Sequence, residues 1–304
     1  ATFYPNNKTN LPLIIRGTNY ISPIKYLENK GSAQCKSSVM LAALNAPGKT
    51  IIKAKKSRDH TEIFFKYLKV PIKIKKTEEH DLIEVYGKNQ FKSFNYNIPS
   101  DVSSSAFFIV LTLLSKNSSL LIKGVNINPS RIGIIKILNK MGAKISFKNQ
   151  KIYKGEKISD IFVKSTNSLK SINCPIKYNS SAIDEFLIIF LVAAKSKGIS
   201  YFKNLSELNQ KESPRLKLGS KILNKMGIKT KTTKDSIKIY GNPKISLHKR
   251  VKIKNFMKDH RIFMMSTIAA LTFGGNWKIY DKDSIKTSFP TFLKIIKQLG
   301  GKFN

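Results

Sequence analysis

Within "SELNQKESPRLK", residues 206–217, Lys211, Glu212 and Arg215 fall inside five positions around a Ser-Pro pair, a junction that suits the opening of a helix. Upstream, Asp184-Glu185 precedes the apolar run "FLIIFLVAA"; downstream, Asp259-His260-Arg261 precedes "IFMMSTIAAL". Cations beside carboxylates at helix starts suit small anionic reactants. Free N–H groups and the positive end of the helix dipole attract phosphate or carboxylate. A partly buried carboxylate among cations can accept a proton. Asp184 itself reads two ways, as a plain helix cap or as such a base. Lys211 and Glu212 add an acid and a base from the same stretch. Together these residues describe a reaction between two anionic small molecules, driven by charge stabilisation and proton transfer.

The chain has 304 residues and a net charge of +37, which asks first for a polyanionic partner. The distribution argues otherwise. Basic residues are spread over every segment, with no basic arm and no Lys/Arg block alternating with aromatics, so a compositional bias toward Lys, Asn and Ile is the reading and no nucleic-acid partner is expected. Arg occurs only six times against 49 Lys, which makes each Arg informative, because its planar fork matches carboxylate and phosphate. Cys35 and Cys174 read as small packed residues. Neither they nor His60, His80, His248 and His260 have metal-ligand spacing, so no metal and no cofactor are expected. No apolar run reaches about eighteen residues and no secretory leader is visible, so a cytoplasmic protein is expected.

The elements that position these residues repeat. "ILNKMGAKI" at 137–145 returns as "ILNKMGIKT" at 222–230, and more weakly as "IIKQLGGKF" at 295–303 and "FFKYLKVPIKI" at 64–74. The anchors Leu68, Met141, Met226 and Leu299 are separated by 73, 85 and 73 residues. Each should close an amphipathic helix, with a left-handed Gly cap following in three copies and Lys69 in its place in the first. Before each anchor lies an apolar helix, expected to be interior, and a β-branched strand. The unit reads β-α-β-α-β-β, four times over, with a hinge expected near Pro99. The domains predicted are 1–97 and 98–304. Each unit has two helix starts that carry anion-binding types. The first set is Ser32 with Gln34, Ser103–Ser105, Asp184-Glu185 and Asp259-His260-Arg261. The second is Ser57-Arg58, Ser130-Arg131, Lys211-Glu212-Ser213 with Arg215, and Lys286-Thr287-Ser288. Four of the six arginines sit there, although Ser130-Arg131 reads equally as an ordinary surface turn.

Taken in order, "SAQCKSSVMLAALNAPGKT", "SRDHTE", "NINPSRIG", "AIDEFLIIFLVAA", "LSELNQKESPRL", "KDHRIFMMS" and "TSFP" resemble the 5-enolpyruvylshikimate-3-phosphate synthase family, in its branch with a Ser-Ala-Gln-x-Lys-Ser motif. The resemblance spans essentially the whole chain. It implies an α/β (α+β) fold of two domains, an inside-out α/β barrel with three repeats per domain and the active site in the cleft between them. It further implies transfer of the enolpyruvyl group of phosphoenolpyruvate to the 5-hydroxyl of shikimate 3-phosphate by a monomer, with no membrane partner. Carried over by motif, Ser32, Ala33, Gln34, Ser57 and Arg58 would bind shikimate 3-phosphate. Asp184 would bind and deprotonate its hydroxyl, and Lys211 would bridge both substrates. Glu212 would protonate the methylene carbon, while Gln34, Arg215 and Arg261 hold phosphoenolpyruvate. About four of the family's six units are recognisable, so Ala1 is expected to lie inside the family's sequence and the 304 residues alone to be inactive. Pro214 departs from the family's usual Asp and is expected to do little harm. Thr287 stands where some members place a phosphate-binding Lys, leaving open whether Lys286 substitutes. The alternatives are the sister transferase acting on UDP-N-acetylglucosamine and a basic RNA-end-processing protein on a related fold.

Overall fold

A computed structural model describes residues 2–5, 10–87, 90 and 92–303. The chain divides into two compact units, Ala1–Tyr96 and Asn97–Asn304.

In the first unit, β1 (Thr2–Tyr4) pairs antiparallel with β2 (Ile14–Arg16) as a separate exposed ribbon. The main sheet begins at β3 (Lys25–Glu28), crosses over through α1 (Ala33–Ala43) to the parallel β4 (Lys49–Lys55), and continues through α2 (His60–Tyr67) to the hairpin of β5 (Ile72–Lys76) and β6 (His80–Tyr86). The spatial order is β3-β4-β6-β5. Alternation sets which face is buried: Ile52 and Ala54 from β4 and Ile83 and Val85 from β6 meet Met40 of α1 and Phe65 of α2.

The second unit holds three further repeats. In the first of them, α3 (Val102–Leu114), β7 (Ser119–Asn126), α4 (Gly133–Lys140), β8 (Lys144–Tyr153) and β9 (Glu156–Lys164) give the order β7-β9-β8, and Ser100 bridges in parallel to Val125 where the opening strand belongs. The next runs through α5 (Asn179–Ala182), α6 (Phe186–Lys195), β10 (Gly198–Phe202), α7 (Arg215–Lys225), β11 (Thr230–Thr232) and β12 (Ile237–Gly241), in the order β10-β12-β11. The last comprises β13 (Leu247–Ile253), α8 (His260–Phe273), the parallel β14 (Gly274–Ile279) and α9 (Phe292–Gln298). The fold is therefore mixed α/β, built on the repeat that the sequence shows.

Leu68, Met141, Met226 and Leu299 each occupy the C-cap of their helix. The residues after them, Lys69, Gly142, Gly227 and Gly300, have φ of 58°, 89°, 87° and 91°. The left-handed stop is kept even where the side chain is Lys. The expectation of interior first helices holds for α3, α6 and α8, which pack on one another and bury nearly every residue. It fails for α1, where Lys36, Met40 and Ala43 are buried while Leu41 is 54% exposed. The reason is the number of neighbours. Among the described residues of its unit, α1 lies on β3, β4 and β6 and has no second helix of its kind beside it, so it buries one stripe rather than all faces.

Candidate active site

The start of α7 brings the charged loop together. Pro214 is the N-cap, at φ −71°, and its ring offers no capping oxygen. Asn209 supplies one from the preceding turn, its Oδ1 accepting from the N–H groups of Leu216 (3.1 Å) and Lys217 (3.4 Å). This fixes Arg215, the first helical residue, which is only 1% exposed and faces three carboxylates. Its Nε donates to Asp259 Oδ2 at 2.8 Å and its Nη2 to Glu212 Oε2 at 2.5 Å, while Nη1 lies 3.7 Å from Asp184 Oδ1. Ser213 Oγ donates to Asp259 as well, at 2.7 Å. Asp259 also caps α8, accepting from the Arg261 N–H at 2.9 Å. Burial would raise the Asp259 carboxyl, but the hydrogen bonds and charge of Arg215, with Ser213 and the Arg261 N–H, outweigh it and hold the group below the ordinary carboxylate range.

Asp184 stands just before α6, whose side chains from Phe186 to Ala194 are all buried. Each large apolar residue there contributes about 1.5–3 kcal/mol of burial, which holds the helix start in place. Asp184 Oδ1 is 3.7 Å from Lys211 Nζ, and its carbonyl accepts from Arg261 Nη1 at 2.9 Å. Lys211 also pairs with Glu207 at 2.7 Å. All five residues assigned by sequence to this half of the chemistry, Asp184, Lys211, Glu212, Arg215 and Arg261, thus share one cluster. His260 beside them is pushed toward the neutral form by burial first and by the Arg261 charge second.

Three supports of this cluster went unassigned in the sequence. Asp259 and Ser213 hold Arg215. Glu185, 2% exposed, accepts from Ser103 Oγ at 2.5 Å and lies 3.8 Å from Arg261 Nη1. Its pKa is raised, chiefly by burial and then by Asp184, against the opposing charge of Arg261. The signals were present but mute about partners: an Asp at the helix-capping position and a second carboxylate beside Asp184. The repeat containing Ser103 and Arg131 joins this network through the Ser103 hydroxyl. Arg131 Nη2 donates to Asp101 Oδ1 at 2.8 Å and Ser103 Oγ at 2.7 Å, and Ser130 Oγ to Asn128 Oδ1 at 2.7 Å. Lys286 pairs with Asp283 at 2.8 Å on an exposed turn.

In the first unit, Ser32 caps α1, its Oγ accepting from the Cys35 N–H at 3.2 Å. Both oxygens of Glu28 accept from the preceding turn, from the N–H groups of Lys30 and Gly31 at 2.8 Å each. Ala33 and Gln34 open the helix, with Gln34 exposed. Ser57 and Arg58 lie in the turn before α2, and Ser57 Oγ is buried without a hydrogen-bond partner among the described residues. Among the described residues, no group of three or more His, Cys, Asp or Glu side chains is placed to hold a metal ion, and no helix is long and apolar enough to cross a membrane.

Comparison with known proteins gives one answer. The 3-phosphoshikimate 1-carboxyvinyltransferase of Ruthia magnifica subsp. Calyptogena magnifica is 38% identical over 300 residues, covering 98% of this chain and 67% of that protein. The protein of the same name from Petrotoga mobilis is 38% identical over 298 residues, with the same coverage. Among solved structures, an EPSP synthase from Acinetobacter baumannii superposes with a TM-score of 0.83 at 34% identity, over 92% of this chain and 63% of that one. The enolpyruvyl transferase NikO from Streptomyces tendae shares the fold, with a TM-score of 0.66 at 14% identity over 95% of this chain and 66% of its own. The chain spans about two thirds of the length of these relatives. The family model for EPSP synthase (3-phosphoshikimate 1-carboxyvinyltransferase) matches residues 2–296, and the chain belongs to that family.

Proposed function

We propose that the protein transfers the enolpyruvyl group of phosphoenolpyruvate to the 5-hydroxyl of shikimate 3-phosphate, acting as a monomer on two small anions. The observation that carries this reading is the Asp184 carboxylate 3.7 Å from both Lys211 Nζ and Arg215 Nη1, in a chain of this family. Two multiply charged anions repel each other, so fixed cations are the first requirement of their union. Lys211 bridges the pair. Arg215 and Arg261 hold phosphoenolpyruvate, and Gln34 is assigned to the same substrate by its motif. Since Nε and Nη2 of Arg215 are bound to Asp259 and Glu212, it meets the ligand through the Nη1 edge. Ser32, Ala33, Gln34, Ser57 and Arg58 are assigned to shikimate 3-phosphate by their motif, and the orphaned Ser57 Oγ supports this, because a buried hydroxyl without a protein partner suits a ligand oxygen.

Asp184 accepts the hydroxyl proton as that oxygen bonds to C2 of phosphoenolpyruvate, while Glu212 delivers a proton to the C3 methylene. The tetrahedral adduct carries both the phosphate and the new ether. Glu212 then removes a proton from the methyl group, the C–O bond to phosphate breaks, and the double bond re-forms; the proton on Asp184 leaves with the phosphate. Calorimetric titration with shikimate 3-phosphate, alone and with phosphoenolpyruvate, tests the reading. Binding of shikimate 3-phosphate that weakens at least tenfold in Arg58→Ala is expected. Preference for UDP-N-acetylglucosamine, or RNA binding that falls steeply with salt in place of either substrate, would overturn it.

A further inference from the structure

Lys36 is a residue of the "SAQCKS" stretch that no step of the proposed reaction uses, and its burial is unusual for a lysine. It lies on the single buried stripe of α1 with Met40 and Ala43, at helical spacing, where an apolar residue would be ordinary. Its side chain is 1% exposed. The Nζ sits 2.6 Å from Glu62 Oε1, itself on a side chain 4% exposed, and donates to the carbonyl oxygen of Arg58 at 2.8 Å. A buried ion pair is weak support for a fold, since two apolar side chains of similar volume would join α1 to α2 at least as well. What they could not do is bond a backbone carbonyl. An ammonium has three donors, so it can satisfy a carboxylate and a carbonyl at once. The neighbouring Ser37 Oγ and Thr61 Oγ1, 2.6 Å apart, tie the same two helices beside it.

We propose that Lys36 is a positioning residue whose buried ammonium, neutralised by Glu62, holds the Arg58 carbonyl and so fixes the Ser57-Arg58 turn against the start of α1. As a statement about substrate, it rests on the reading of Ser57 and Arg58 as ligands of shikimate 3-phosphate. An Arg side chain is long and rotamer-rich, and anchoring its own backbone removes part of the ordering cost that binding would otherwise incur. Glu62 cancels the Lys36 charge, so the device supplies geometry and leaves the attraction of the phosphate to Arg58 and the helix N–H groups.

Two variants of the chain separate this from a role in the core. In the first, Lys36→Met with Glu62→Leu, both charges are replaced by apolar groups; in the second, Glu62→Gln, an acceptor for Lys36 and the bond to Arg58 are retained. The apolar pair is expected to fold with a thermal transition close to the parent's. Its amides over residues 57–60 should exchange hydrogen at least tenfold faster, and its Kd for shikimate 3-phosphate should rise at least tenfold. Glu62→Gln leaves the buried ammonium without its counter-charge and should lower the thermal transition, yet below that transition it should keep both the exchange over 57–60 and the Kd within about threefold, because the bond to the Arg58 carbonyl remains. Failure of the apolar pair to fold would assign Lys36 to the core and overturn the proposal. So would exchange and affinity within twofold of the parent, or an equal loss in Glu62→Gln. If the parent chain does not bind shikimate 3-phosphate at all, the functional reading falls, and the exchange rates still decide whether Lys36 holds the turn.

Discussion

Glu185 and Asp259 show how one residue type takes opposite electrostatic roles a few ångströms from the same chemistry. Both are buried, which alone raises a carboxyl's pKa. Asp259 escapes because Arg215, Ser213 and an N–H all bond its charged form; Glu185, with Ser103 donating at 2.5 Å and Arg261 at 3.8 Å, does not. Their effects on stability have opposite signs. Asp259 contributes stability above the ordinary carboxylate range, and that contribution is lost as pH falls through its depressed value. Glu185 behaves in reverse: the unfolded chain releases its proton from about pH 4.5 upward, before the fold does, so stability falls as pH rises toward the raised value. Glu185→Gln removes that dependence. Relative to the parent, its urea midpoint should therefore climb as pH rises above about 4.5, and a pH-independent difference would refute the assignment. Sequence could name Asp184, Lys211, Glu212 and Arg215 because their types and helix starts are local. It could not assign service to Asp259 or Glu185, whose partners Arg215 and Ser103 lie 44 and 82 positions away along the chain.

Among elements, the most legible were the second helices, since an apolar stripe ending in a left-handed residue marks a stop without reference to tertiary structure. Lys69 is the informative exception. It takes φ 58° where Gly142, Gly227 and Gly300 take the same turn, so the stop is imposed by the chain just beyond the helix: the Val70 N–H reaches back to the Phe65 carbonyl at 2.9 Å, as Ala143 does to Leu138 at 3.0 Å. A non-Gly residue in that region carries a steric cost, against which Gly's greater freedom in the unfolded chain must be set. Lys69→Gly should accordingly stabilise the chain by about 0.5–1 kcal/mol, read as a higher denaturation midpoint at unchanged slope. No gain would mean that the Lys69 side chain makes a compensating contact. The burial of the first helices was less legible. Composition makes α1 resemble α3, α6 and α8, but whether an apolar helix buries one face or all of them depends on how many helices surround it, and no local pattern carries that count.

For the molecule as a whole, the repeated unit was plain from "ILNKMG", whereas the meaning of the charge was not. With 55 basic and 18 acidic residues, the acidic side is the scarce one, and the structure pairs part of it with specific cations: Glu62 with Lys36 and Asp259 with Arg215 in the interior, Asp184 with Lys211 and Asp101 with Arg131 nearer the surface. The carboxylates that remain are far outnumbered by the lysines. Several of these instead lie over aromatic rings, as Lys203 and Lys238 do on Tyr201 at 4.6 and 4.9 Å. Self-repulsion among the rest opposes the compact state. Salt screens repulsion between exposed charges over a length of about 10 Å at 0.1 M, yet barely reaches the buried pairs. The two effects separate cleanly. Stability in urea should rise as sodium chloride is increased from about 20 mM to 300 mM, because repulsion is relieved while the Lys36–Glu62 and Arg215–Asp259 bonds are spared. A protein held by exposed ion pairs would lose stability over the same range, and such a loss here would show that attraction between exposed charges outweighs their repulsion.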